Sequence, residues 1–350
     1  RMLPFSCLLS VLLMVGIGIS RVLAAPSLLA HSTSPSSTPP VTIRADELKD
    51  ILKNRPDSIK LIDASWRQVH DPIPWQEFRD KYYGNFELLM EMMKNPDFEK
   101  EHIKGAQYFS LDVANFPGQY QMASLYPPEI FAHYPFLLGL SREDDIVVYA
   151  RGSSNGMLFA ARVWFLLKVY GAKRVRVLEG GLDHWKAVGG AVATGPADKP
   201  KFGAWKPAAL DSAFLVTYEE LVQEQNPVHF GNLYTINFLD ARPAGQFHGF
   251  DPLAFDPNGA PGTHLAGTKS NALADILAAD GSGLKSADEI RAAMKKDGFV
   301  DGKQAMTICN GGVQASLLAL ALAKAGVPAR IFNGSLIEIS LRAPQLISEK

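Results

Sequence analysis

Length, composition and charge set the first limits on this chain. Its 350 residues are enough for two domains with separate cores. The 35 Lys and Arg residues nearly balance the 36 Asp and Glu residues, and no polybasic run occurs. Neither nucleic acid nor an anionic membrane surface is therefore expected as a partner. With Cys7 and Cys309 as its two cysteines, the chain cannot assemble a cysteine-based zinc site, and no metal is expected.

The N-terminal residues resemble a targeting segment. An apolar run from Leu8 to Ile19 precedes Val22-Leu23-Ala24, which fits a cleavage site for small residues before Ala25. We predict a signal peptide at 1–24, a Ser/Thr/Pro-rich tether at 25–40 and a secreted or secretory-pathway protein. The run is shorter than the roughly 20 residues of a membrane span, so stable membrane association is not expected. A retained signal anchor is the alternative, and a mitochondrial presequence is disfavoured because arginines are few.

The rest of the chain repeats itself. Each of four segments in the first half has a counterpart, in the same order, in the second half. A repeat of this length indicates two copies of one strand-and-helix unit. The paired segments begin at Leu61 and Asn237, at His102 and His264, at Ile146 and Met306, and at Arg174 and Arg330.

Each copy alternates strand-like and helix-like runs, and the strand-like runs are too apolar for a sheet with one wet face. This pattern predicts an α/β fold in which each copy forms a mostly parallel sheet flanked by helices. We place the domains at 41–194 and 211–350, joined by a Pro/Gly/Lys-rich linker at 195–210. A charged, Met-rich insertion at 71–100 is expected to cover the surface of the first domain.

The candidate catalytic stretch runs from Met306 to Ser316. A strand-like run ends at Cys309, two glycines follow, and an Ala/Leu-rich helix comes next. Open α/β sheets bind ligands at the carboxyl ends of their strands. The free N–H groups and positive dipole end of the following helix favour an anion, such as a thiolate. A free cysteine is more often an inert core residue, but this setting favours a nucleophile.

Together these motifs resemble the tandem-domain rhodaneses, the thiosulfate and 3-mercaptopyruvate sulfurtransferases. The resemblance runs from about Val41 to about Arg342 and rests on the paired repeat, on Leu178-Glu-Gly-Gly-Leu-x-x-Trp185, and on the Cys-x-x-Gly-Val-x-Ala loop at Cys309. It implies two rhodanese-like domains, of which the first is degenerate and the second catalytic. The chain fits this asymmetry because Ala150 stands where the first copy would carry its cysteine.

The resemblance also implies a mechanism. Cys309 takes sulfur from a small donor, becomes a persulfide, and passes the sulfur to a thiol or to cyanide. The backbone N–H groups of the following loop hold the charge, and no cofactor is required. The loop comprises Asn310, Gly311, Gly312, Val313, Gln314 and Ala315.

The chain departs from this family in its anion-binding residues. Gln246 stands where the family has a substrate-binding arginine, and Gly311 stands where the thiosulfate type has a lysine. Asp112 matches an acid of the mercaptopyruvate type, although the histidine of that type is not found at 117–126. We therefore expect Gln246, Asp112 and Arg242 in an altered substrate pocket. Substitute positive charge could come from Arg242, His248, His264 and Lys269, although Arg242 and His264 are each expected to be structural.

Two other functions are compatible with parts of this pattern. A non-catalytic rhodanese module could carry sulfur or bind a partner. A cysteine phosphatase or arsenate reductase would need Cys-x5-Arg to grip a phosphoryl group. Ala315 occupies that arginine position, so the phosphatase hypothesis is set aside.

Overall fold

The computed structural model describes residues 40–69, 71–222, 236–253 and 262–348. The predicted signal peptide and all but the last residue of the predicted tether lie outside this part of the chain. No helix within the described residues is long and apolar enough to cross a membrane. Both sheets lie in one compact unit, residues 39–350.

The first half contains nine strands and nine α-helices among its described residues. The strands are β1 (Thr42–Ile43), β2 (Lys60–Asp63), β3 (His102–Ile103), β4 (Gln107–Tyr108), β5 (Asn115–Phe116), β6 (Ser124–Leu125), β7 (Asp145–Tyr149), β8 (Arg174–Leu178) and β9 (Val192–Ala193). The helices are α1 (Ala45–Asn54), α2 (Trp75–Lys81), α3 (Phe86–Met92), α4 (Pro96–Lys100), α5 (Leu111–Ala114), α6 (Pro128–Phe131), α7 (His133–Leu137), α8 (Leu158–Val169) and α9 (Gly181–Ala187).

The second half follows the same plan. Its described strands are β10 (Leu215–Val216), β11 (Asn237–Asp240), β12 (His264–Leu265), β13 (Lys269–Ser270), β14 (Ala305–Ile308), β15 (Ala329–Phe332) and β16 (Ile347–Ser348). Its described helices are α10 (Tyr218–Val222), α11 (Ala244–His248), α12 (Ala287–Lys296), α13 (Val313–Lys324) and α14 (Ser335–Arg342).

Each half builds its own five-stranded sheet, and the two sheets have the same strand arrangement. The first sheet has the strand order β1-β8-β7-β2-β4, and the second has the order β10-β15-β14-β11-β13. Every neighbouring pair in both sheets is parallel. The predicted α/β class with parallel sheets flanked by helices is therefore confirmed. The repeats seen in the sequence correspond to β2 and β11, β3 and β12, β7 and β14, and β8 and β15.

A single core joins the two halves. Helices α8 and α13 pack against each other, and their buried side chains belong to one hydrophobic cluster that spans both sheets. Nine of the twelve residues of α8 and eight of the twelve residues of α13 are buried, which explains why both helices are predominantly apolar. This packing brings the first half next to the strand–cysteine–helix stretch of the second.

Candidate functional site

Cys309 follows β14 directly, at the carboxyl end of the central strand of the second sheet. Its backbone is fixed by the start of α14, because Cys309 N–H donates to Ser335 Oγ at 3.3 Å and Leu336 N–H donates to Cys309 O at 3.1 Å. The neighbouring Asn310 O accepts from Ile337 N–H at 3.0 Å. These bonds place the cysteine at the edge of the sheet where parallel α/β folds bind ligands.

The loop after the cysteine brings one backbone amide to the sulfur. Gly312 N–H donates to Cys309 Sγ at 3.1 Å, and Ser335 Oγ lies 4.0 Å from the same atom. Gly312 precedes α13 with a φ of 89°, in the left-handed region that favours glycine. Of the loop amides predicted to hold the sulfur, the Gly312 N–H donates to it in the described contacts.

Arg162, on α8 of the first half, is a site residue that the sequence analysis missed. It is 1% exposed, and its guanidinium donates to Gly312 O at 3.5 Å, to Asn115 Oδ1 at 3.3 Å and to Ala123 O at 3.4 Å. All three acceptors are neutral, and no carboxylate among the described residues forms an ion pair with it. Burial lowers the pKa of Arg162 to about 10, whereas the charge of Cys309 acts in the opposite direction. Arg162 therefore places a buried positive charge, not neutralised by a carboxylate of the described residues, beside the Gly312 turn that follows Cys309.

Cys309 is itself only 1% exposed, and it lines a cavity of about 620 Å³. The second half contributes Cys309, Asn310, Gly311, Val313, Gln314 and Ile337. The first half contributes all the other described lining residues, including Trp66, Asp112, Met122 and Phe159. The cavity is therefore formed by both halves, and neither half encloses it alone.

The insertion at 71–100 has a second role that the sequence did not reveal. It forms α2, α3 and α4, and its residues Pro72, Ile73, Phe78 and Met93 line the cavity. Besides covering the surface of the first domain, as expected, the insertion therefore contributes to the wall of the cavity. Phe78 and Met93 of the insertion are buried in the shared core, and both also border the cavity.

The three predicted pocket residues have different placements. Asp112 lines the cavity, and its Oδ2 accepts a hydrogen bond from Trp66 Nε1 at 2.9 Å. Gln246 does not line it, but its Oε1 accepts from Asn310 Nδ2 at 3.1 Å and so braces the loop. Arg242 is fully buried and is held by Asp240 and by Thr263 O. Since Asp240 already neutralises this guanidinium, Arg242 does not belong to the pocket, which corrects that prediction.

The other proposed sources of positive charge also lie away from the cavity. His264 stacks on Phe247 with ring centroids 4.0 Å apart, and burial lowers the pKa of His264. Lys269 Nζ donates to Asn237 Oδ1 at 3.4 Å and to Gly298 O at 2.5 Å. Neither of these residues, nor His248, lines the cavity. Arg162 is the one basic residue among the described residues that line the cavity.

The parallel sheets, the strand–cysteine–helix turn and the paired copies define a class of protein, the tandem rhodanese-fold cysteine proteins. A family model described as "Rhodanese-like domain" matches residues 44–188. A putative thiosulfate sulfurtransferase of Caenorhabditis elegans, mpst-1, is 34% identical over 302 residues, which cover 84% of this chain and 91% of that protein. Human 3-mercaptopyruvate sulfurtransferase is 31% identical over 248 residues, which cover 71% of this chain and 80% of that protein.

Solved structures agree with the fold. The Tum1 protein of Saccharomyces cerevisiae superposes with a TM-score of 0.68 at 21% identity and covers 89% of this chain and 98% of that chain. The 3-mercaptopyruvate sulfotransferase SseA of Escherichia coli superposes with a TM-score of 0.66 at 22% identity, over 85% of this chain and 98% of that chain. The chain belongs to the tandem-domain rhodanese family of thiosulfate and 3-mercaptopyruvate sulfurtransferases. It is a sulfurtransferase.

Proposed function

We propose that sulfur transfer in this protein proceeds through a persulfide on Cys309. The Cys309 thiolate attacks the outer sulfur of a donor, the bond between that sulfur and the donor breaks, and the donor leaves with the electron pair. A thiol or cyanide then attacks the outer sulfur of the persulfide and regenerates the Cys309 thiolate. The observation that supports this proposal is that Cys309 lines a cavity, with the Gly312 N–H 3.1 Å from Cys309 Sγ and the cation Arg162 beside the loop.

Charge stabilisation supports this role for Cys309. A persulfide, like a thiolate, carries its negative charge on sulfur, and fixed N–H donors and a buried cation stabilise that charge without reorganising. Arg162 donates only to neutral oxygens, so its positive charge is not cancelled by a neighbouring acid among the described residues. The same environment serves both resting and loaded forms of the enzyme.

The test is a two-step loading experiment. The purified protein is incubated with inorganic polysulfide, desalted and treated with cyanide. We expect a gain of one sulfur atom on Cys309 by intact and peptide mass, and release of thiocyanate upon cyanide addition. Cys309→Ser should show neither. Sulfur loading that persists in Cys309→Ser would overturn the proposal, and absence of any adduct would favour a non-catalytic module.

A further inference from the structure

A second cavity, of about 870 Å³, lies in the first half and the adjoining linker, and it shares no lining residue with the cavity at Cys309. Lys60 and Leu61, the first residues of β2, line this second cavity. Trp66, just beyond the carboxyl end of β2, lines the cavity at Cys309. The two cavities therefore lie toward opposite ends of this strand.

The buried part of the lining of this second cavity is apolar. Ile59, Leu61, Ile103 and Trp185 line it, and all four belong to one hydrophobic cluster of the first half. The indole N–H of Trp185 donates to Ala191 O at 3.0 Å, so this ring needs no polar partner from a ligand. This part of the lining therefore offers contact to a hydrocarbon or aromatic group.

The exposed part of the lining carries an excess of positive charge. Six lysines line the cavity against two aspartates, Asp57 and Asp198, although the whole chain has a formal net charge of −1. Five of the six lysines are exposed, and the ion pairs within the described residues are made by other lysines. The six residues that define this lysine-rimmed cavity are Lys49, Lys53, Lys60, Lys104, Lys199 and Lys201.

This combination of charge and apolar surface selects a class of ligand. A bare inorganic anion would leave the apolar surface in water, and an uncharged apolar molecule would leave the lysine charges unmatched. Lysine is a flexible point charge without the fixed geometry of arginine, so it accepts a carboxylate, a phosphate or a sulfonate. The volume of about 870 Å³ also falls within the range of about 300–1,000 Å³ that is typical of sites for small organic molecules.

We propose that the lysine-rimmed cavity binds an amphipathic organic anion, with its apolar body on the buried lining and its acidic group among the lysines. The lysines come from separate segments: Lys53 from α1, Lys104 from the turn between β3 and β4, and Lys199 from the linker. An anion among them is attracted from several sides, and this attraction weakens as salt rises because these lysines are exposed. The proposal concerns binding alone and does not depend on a persulfide at Cys309.

Three probes of similar shape test the proposal on the intact protein. The probes 4-biphenylcarboxylate, 4-phenylbenzyl alcohol and 4-phenylbenzylammonium share one apolar body and differ in charge, and acetate supplies the acidic group alone. Isothermal titration calorimetry at low ionic strength gives each dissociation constant. We expect the carboxylate to bind at least about tenfold more tightly than the alcohol, the ammonium probe to bind more weakly still, and acetate to show no measurable binding. Added salt should weaken binding of the carboxylate and leave that of the alcohol unchanged.

A matched pair of triple variants locates the binding. The rim variant combines Lys53→Gln, Lys104→Gln and Lys199→Gln, and its fold should persist because all three residues are exposed. We expect it to bind 4-biphenylcarboxylate about tenfold or more weakly than the wild type. The control variant should bind this probe as the wild type does, since it changes three exposed lysines outside both cavities, Lys173→Gln, Lys206→Gln and Lys296→Gln. Thermal unfolding of both variants checks the fold.

Four results would overturn the proposal. Absence of measurable binding by the carboxylate is the first. Unchanged affinity in the rim variant is the second, because the carboxylate would then bind elsewhere, including beside Arg162 in the cavity at Cys309. Equal losses in the two triple variants would show that general surface charge sets the affinity, and equal affinities for the carboxylate and the alcohol would exclude a role for the lysines. None of these results bears on persulfide transfer, which loading of Cys309 with polysulfide tests separately.

Discussion

Replacement of Gly312 by alanine tests the geometry of the candidate catalytic loop most directly. Gly312 has a φ of 89°, and an added Cβ would lie 2.7 Å from Asn333 O and 3.0 Å from Arg162 Nη1. The left-handed backbone costs a residue with a Cβ about 1–2 kcal/mol, and overpacking adds about 1–3 kcal/mol. We therefore expect Gly312→Ala to lower the free energy of unfolding by about 2–5 kcal/mol.

The neighbouring glycine supplies the matched control. At Gly311 the backbone does not lie in the left-handed region, and an added Cβ would meet Met122 Sδ at 3.4 Å and Ile337 Cδ1 at 3.6 Å, which is ordinary van der Waals contact. Gly311→Ala should therefore change the free energy of unfolding by no more than about 0.5–1 kcal/mol.

Two measurements check this prediction. Chemical denaturation gives the free energies of unfolding, and iodoacetamide gives the rate of alkylation at Cys309. Gly312→Ala should also slow alkylation, because a displaced loop withdraws the N–H that lies 3.1 Å from Cys309 Sγ. Equal stabilities for the two alanine variants would refute the reasoning, since steric space and backbone conformation would then not distinguish the two glycines.

Two further predictions concern buried charges. Arg162→Met removes the positive charge beside the Gly312 turn, so alkylation of Cys309 at neutral pH should slow by about tenfold or more. Arg162→Lys keeps the charge and should recover much of the alkylation rate. Equal alkylation rates in the two variants would exclude an electrostatic role for Arg162. Burial raises the pKa of Glu338, opposed by bonds from Arg342 and Gln121. With a raised folded-state pKa, its stabilising contribution is present at low pH and is lost as pH rises. The stability of Glu338→Gln relative to wild type should thus increase from pH 4 to pH 7 in denaturant titrations, and a constant difference would contradict this reasoning.

The sequence contained enough information to predict the fold. Parallel strands covered on both faces are continuously apolar, and a duplicated unit repeats its strands in the same order. For this reason the segments beginning at Leu61 and Asn237 could be paired, and both became equivalent strands, β2 and β11. The position of Cys309 at a strand end followed from the same pattern, because local strand–turn–helix signals lie within a few residues of each other.

The sequence did not reveal what the first half contributes to the site. Arg162 lies in an apolar run, and periodicity predicts that the helix is buried without saying which surface it meets. Its partners Asn115, Ala123 and Gly312 are distant in sequence, and Gly312 reaches it only because α8 packs on α13. The burial of an arginine within such a helix was the available signal, since charged residues are rarely buried without a partner.

Arg242 was a possible pocket residue in the sequence, although a structural role beside the preceding acid was expected. An arginine two residues after the acid Asp240 could either face a substrate or pair with that acid, and the sequence left both possibilities open. In the structure, the guanidinium of Arg242 donates hydrogen bonds to both carboxylate oxygens of Asp240, and the shortest of these, from Nη2 to Oδ2, is 2.7 Å. Once this pair is buried, exposing Arg242 to a ligand would leave the charge of Asp240 uncompensated, which is costly.

The placement of Arg162 also explains how a copy without a nucleophile can remain part of the enzyme. Ala150 stands at the first-copy position equivalent to Cys309, yet α8 of that copy supplies a cation near the Cys309 loop and its insertion supplies apolar lining. The first copy therefore contributes surface to the site at Cys309 although it has no cysteine of its own at the equivalent position. Because the cation and the apolar lining belong to one copy and the sulfur to the other, changes in the first copy can alter substrate choice while the catalytic loop stays constant.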